Sequence, residues 1–181
     1  RMNLTAEGLG AMILKEDIDL LLTLRGTQLP PGANLGAEYV RLQYEHAAMV
    51  KRAMPKRSPE ILAMWSGVIV IFPNVLILPQ AGNAAIYRAL PDGDDPNRCT
   101  FEIFSVKTYP EAVGPPRAEV QLATALDDPD QIGLIPRQDL GNIPRIQEGL
   151  RSKGMHQTWL ASCQEKLILN MHQELDRYLL A

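Results

Sequence analysis

The chain has three imidazoles, His46, His156 and His172. No two of them are three to five residues apart, so no helix turn presents a histidine pair to a metal. Each reads as an ordinary residue, His46 and His172 within helical patterns and His156 near a helix N-terminus. Cys99 and Cys163 are far apart and form neither a disulfide framework nor a zinc or iron–sulfur pattern, both of which need clustered ligands. They read as buried small hydrophobes. No glycine-rich phosphate loop is present, since Gly82 and Gly93 are isolated turn glycines, and no GxSxG elbow supports a serine hydrolase. The residue that holds attention is Asp139, in the run Pro136-Arg137-Gln138-Asp139-Leu140. It falls between the last strand-like segment and the C-terminal helical pattern. By physics alone it is a carboxylate placed ahead of a helix, where exposed N–H groups favour negative charge.

Composition narrows the class of partner. The chain has 181 residues, 46% hydrophobic and 22% charged, enough for one domain, residues 1–181, with a real core. Net charge is −3 with the basic residues scattered, which argues against nucleic-acid binding, where a basic stripe is needed. The densest basic run, Lys51-Arg52 and Lys56-Arg57, is interrupted by Pro55 and reads as a solvated helix end. The most apolar stretch, residues 65–79, is broken by Pro73 and Asn74 and is no membrane span. Free cysteines and the lack of a visible signal peptide point to the cytoplasm. Arg1 stands ahead of Met2, so the natural start is expected elsewhere.

The elements that must position Asp139 follow from periodicity. Residues 6–25 are helical in pattern, with Leu14, Ile18, Leu21 and Leu22 on one face; Gly8 and Gly10 leave strand structure before Lys15 open. Residues 35–53 form a second helix ending before Pro55, and Ser58-Pro59-Glu60 opens a short third one reaching about Trp65. The character then changes. Residues 68–72 and 75–78 are dense in β-branched residues, and Pro73-Asn74 between them fits two short strands or one bulged strand. Residues 84–90 and 99–109 are further strands around the turn Pro91-Asp92-Gly93-Asp94-Asp95-Pro96-Asn97. Residues 118–123 are a last short strand. The helical pattern resumes at residues 143–151. From Gln157 onward Leu160, Cys163, Leu167, Ile168, Met171, Leu175, Tyr178 and Leu179 recur three or four apart, predicting a long amphipathic helix laid on a sheet. The class is α+β: an antiparallel sheet with a long C-terminal helix packed on it.

The order of short motifs adds to this reading. Phe72-Pro73-Asn74 is followed by a strand, then residues 92–105 (DGDDPNRCTFEIFS), then Gln138-Asp139, then Gln147-Glu148-Gly149-Leu150, then a terminal helix carrying His172 ahead of Tyr178-Leu179. From about Trp65 onward the chain resembles the C-terminal part of the catalytic domain of Rieske-type aromatic-ring-hydroxylating oxygenase α subunits. The resemblance implies a helix-grip (START-like) fold, incomplete at its N-terminus, and a non-haem Fe(II) enzyme held by two histidines and one carboxylate, leaving positions open for dioxygen. Asp139 falls where that family has its carboxylate ligand. The family's HxxxxH-type histidines and the CxH and CxxH ligands of the [2Fe–2S] Rieske domain are absent from this sequence, so the chain alone is expected to be inactive. The implied partners are an aromatic or related apolar substrate, O2, a reductase or ferredoxin carrying electrons from NAD(P)H, and further α subunits, three in the family's usual ring. Phe72, Asn74, Ile77 and Ile135 are candidates for the substrate wall, and each also reads as plain core or turn packing.

A second reading belongs to another class. The helix-grip architecture also serves non-enzymatic proteins that hold a hydrophobic ligand between sheet and helix. The missing histidines favour it, and the retained Gln-Asp and Gln-x-Gly pattern argues against it.

Overall fold

The structure, a computed structural model, describes residues 13–56, 58, 60 and 67–180. The helix expected over residues 58–65 falls almost wholly outside these residues, as does the part of the first helix before Ile13. Among the described residues two helices come first, α1 (Lys15–Thr23) and α2 (Leu35–Met49). Four strands follow, β1 (Ile69–Ile71), β2 (Val75–Gln80), β3 (Asn83–Pro91) and β4 (Cys99–Lys107), then α3 (Leu134–Leu150) and α4 (Lys166–Leu179). The fold is α+β. Among the described residues no helix is long and apolar enough to cross a membrane.

The strands form one antiparallel meander in the order β1-β2-β3-β4. The turn Phe72-Pro73-Asn74 separates two strands rather than bulging one. Asn74 ties it to β3: its Nδ2 donates to the Ala89 carbonyl at 2.6 Å, and the Ala89 N–H donates to the Asn74 carbonyl at 3.2 Å. Ala81-Gly82 turns β2 into β3, with Gly82 at φ +83°, a conformation that an L side chain resists. A Cβ there would also stand 2.9 Å from Met54 Sδ, because the segment after α2 lies against this turn.

Register sorts the side chains. Ile77 pairs with Ile86 and Ile86 with Phe104, while Leu76 pairs with Tyr87 and Tyr87 with Ile103. Successive residues of a strand face opposite ways. One face therefore carries Asn83, Ala85 and Tyr87, and the first two are buried. The other carries Ile77, Ile86, Arg88 and Phe104. On that face Arg88 pairs with Glu102 at 2.5 Å and lies 5.2 Å from the Phe104 ring centre.

The helical pair is joined to the sheet by polar contacts. Asn34 caps α2, its Oδ1 accepting from the Gly36 N–H at 2.8 Å. In α1, Asp17 and Leu21 are buried one turn apart. Arg52, just past α2, donates from Nη2 to Asp17 Oδ1 at 3.1 Å. Its backbone bridges Pro110 beyond β4, and the Glu111 N–H donates to the Lys51 carbonyl at 3.2 Å.

Several elements differ from the sequence expectations. Helix α3 starts at Leu134, not at residue 143, and includes Pro136 and Pro144. Pro136 is tolerated because it lies in the first turn, where the N–H it lacks has no intrahelical acceptor. Burial of Ile132, Pro136 and Leu140 outweighs the break that Pro144 makes. Helix α4 starts at Lys166, and residues 155–161, including His156, run irregularly ahead of it. Residues 118–123 are irregular and belong to no strand. Cys99 and Cys163 are exposed rather than buried, since Cys99 opens the edge strand β4 and Cys163 lies in the turn before α4.

Candidate functional site

Tyr87 and Phe101 come from neighbouring strands and lie on the same sheet face, their ring centres 5.7 Å apart and tilted by 46°. The Tyr87 hydroxyl is buried and has no hydrogen-bond partner. Its pKa is raised above the ordinary phenol value, first by burial and then by the negative charge of Asp139. A charge acts on a part-buried phenol in this way only from nearby. Asp139 of helix α3 is thus the charged group that adds to burial at Tyr87.

The helix is aimed by its other residues. Pro136 and Leu140 are buried. Gln147 Nε2, near the far end, donates to the Asn97 carbonyl at 2.8 Å in the turn between β3 and β4. Asp139 itself lies in the second turn of α3 and is exposed. The expectation of a carboxylate standing just before a helix is thus corrected: the helix begins five residues earlier, at Leu134. Ile135 is half-buried and precedes Asp139 by four residues, which places both on one side of the helix.

The remaining predicted positions lie elsewhere. Ile77 is on the sheet face opposite Tyr87, in the row with Ile86 and Phe104. The Asn74 amide is engaged with the Ala89 carbonyl of β3. Phe72 stacks on Tyr178 of α4, ring centres 5.4 Å apart at 19°, and this contact ties the end of the terminal helix to the sheet. Tyr87 and Phe101 escape a reading of the sequence, because only the β3–β4 register places them together on one face.

As chemistry, the chain offers an exposed carboxylate, Asp139, whose charge acts on Tyr87, a phenol in ring contact with Phe101. Among the described residues no group of three or more His, Cys, Asp or Glu side chains is placed to hold a metal ion. His46 is half-buried on α2, while His156 and His172 are exposed. One carboxylate fits a single position in an iron coordination shell and does not fill the shell. A separate cleft of about 540 Å³ opens at the Asn83 end of the sheet, between Met54-Pro55, Gln80, Val106 and Thr108. It has no acidic or histidine lining residue and lies four residues along β3 from Tyr87, roughly 13 Å at the usual strand rise.

Residues 31–181 match the family model described as the ring hydroxylating alpha subunit (catalytic domain). The match reaches further towards the N-terminus than the motifs that carried the resemblance, taking in α2 as well as the sheet and both later helices. No curated protein and no solved structure matches the chain.

Proposed function

Because the chain belongs to the family of ring-hydroxylating α-subunit catalytic domains, we propose that it is part of the catalytic domain of a non-haem iron oxygenase that hydroxylates an aromatic or related apolar substrate. In this reading Asp139 supplies the carboxylate ligand of Fe(II). Two histidines from a fuller polypeptide supply the other ligands, and Ile135 lines the substrate side of the carboxylate. The family match carries the reading. The exposure of Asp139 and its electrostatic effect on Tyr87, which packs against Phe101, support it.

Bound iron would supply the activation of dioxygen, through positions that a two-histidine, one-carboxylate set leaves open. The residues described here do the work around it. Helix α3 holds the carboxylate in place through Leu140 and Pro136. Tyr87 and Phe101 present ring surface suited to an aromatic face. Burial and the Asp139 charge keep the Tyr87 phenol protonated. Electrons would come from NAD(P)H through a reductase or ferredoxin and a [2Fe–2S] Rieske centre carried outside these residues.

The test is made on the longest polypeptide the gene encodes. Asp139→Ala should lose bound iron and O2-dependent hydroxylation of an aromatic substrate while keeping its far-ultraviolet circular dichroism. Full iron occupancy in that variant would remove Asp139 from the metal site.

A further inference from the structure

We propose that the cleft at the Asn83 end of the sheet binds a small apolar monocarboxylate, at a site apart from Asp139 and beyond the reading given above. The cleft measures about 540 Å³, inside the roughly 300–1,000 Å³ of small-molecule pockets. Three segments meet there: the chain just past α2, the β2–β3 turn and the end of β4. Met54, Pro55, Ala84 and Val106 give it apolar walls. Its Gly82–Thr108 side is fixed, because the Thr108 N–H and Oγ1 both donate to the Gly82 carbonyl, at 2.9 and 3.1 Å.

The polar lining favours an anion. Strand register sets Gln80 opposite Asn83 and Asn83 opposite Lys107. Residues opposite one another share a face, so two amides and an ammonium stand in one row across three strands. All three side chains carry N–H donors. Among the described residues Lys107 is the only charged residue lining the cleft, and no ion pair takes it up. Its ammonium lies 5.1 Å from the Tyr109 ring centre, a weak contact at an exposed site. A carboxylate that reaches the row gains a charge-assisted hydrogen bond and sets the rest of the ligand against the apolar walls.

The same lining narrows the ligand further. One cation balances one negative charge, and among the described residues no acid, histidine or second cation lines the cleft to hold a metal or a dianion. Met54 adapts the wall to the ligand's shape, since its unbranched thioether follows irregular surfaces. Gly82 leaves it room: a Cβ there would stand 2.9 Å from the Met54 sulfur. The class is therefore a compact apolar body bearing one carboxylate. Asn83 is four residues along β3 from Tyr87, roughly 13 Å, so occupancy of the cleft does not depend on Asp139.

The probe is naphthoate, and the full-length polypeptide carries isotope-labelled methionine methyl groups, with Met54→Leu assigning the Met54 signal. Titration should move the Met54 methyl resonance saturably, with a Kd of about 1 mM or tighter for a ligand of that size. Lys107→Glu should weaken this binding about tenfold or more, and Lys107→Arg should largely keep it. The neutral methyl ester should bind the parent as poorly as the acid binds Lys107→Glu. Asp139→Ala should leave the Met54 titration unchanged, which separates this site from the iron-site reading. A Met54 signal that does not move, moves equally in Lys107→Glu or stops moving in Asp139→Ala overturns the proposal.

Discussion

Asp139 on α3 raises the pKa of Tyr87 on β3, an electrostatic link between the helix that carries the carboxylate and the sheet. Burial is the larger cause and Asp139 the smaller. Asp139→Asn should therefore move the Tyr87 titration down towards, but not to, the ordinary value of 10.0. Phenolate absorbance, with Tyr87→Phe subtracted, reads this directly. The sign for stability follows. The folded state holds the phenolic proton more tightly than the unfolded chain does. That contribution is complete below the ordinary phenol pKa and is lost as pH climbs through the raised folded value. An unchanged Tyr87 titration in Asp139→Asn would separate the two residues.

Iron binding by this chain alone should be weak. A single exposed carboxylate competes poorly with water, and the described residues assemble no further ligands around it. After anaerobic incubation with Fe(II) and desalting, iron should remain well below one per chain and should not change in Asp139→Asn. Stoichiometric retention that depends on Asp139 would reverse this conclusion.

The Asp17–Arg52 pair is buried on both sides, with side chains 0% and 4% exposed. It is also under-satisfied, since Asp17 Oδ2 and Arg52 Nε have no hydrogen-bond partner. Removing one charge strands the other. Asp17→Ala or Arg52→Ala should each cost about 3–5 kcal/mol in urea unfolding, and Asp17→Leu with Arg52→Met much less. Equal losses in the single and double variants would show that the pair holds the helices to the sheet by geometry rather than by charge.

The stack of Phe72 on Tyr178 anchors the end of α4. A double-mutant cycle with alanine at both positions should give a coupling of about 0.5 kcal/mol, the low end for aromatic pairs, because Tyr178 is 73% exposed. Tyr178→Ala should also speed amide exchange across Lys166–Leu179. Exchange that does not change would mean the helix is held by contacts other than this ring.

The sequence by itself determined the kinds of element and their order. β-branched runs marked the strands, Pro-Asp-Gly-Asp and Phe-Pro-Asn marked the turns, and three-and-four spacing marked the last helix. These are local preferences, carried by residues within a few positions of one another. The motif order led to the family. The onset of α3 was not legible, because Pro136 and Pro144 read as breakers until the burial of Ile132 and Leu140 overrode them. Nor were the buried Asp17–Arg52 pair and the exposure of Cys99. Tertiary structure alone decided which residues share a face. Strand register puts Tyr87 and Phe101 on one face of the sheet and Ile77 on the other. A shift of one residue would have reversed that assignment at no local cost, so only pairing across the sheet could make it.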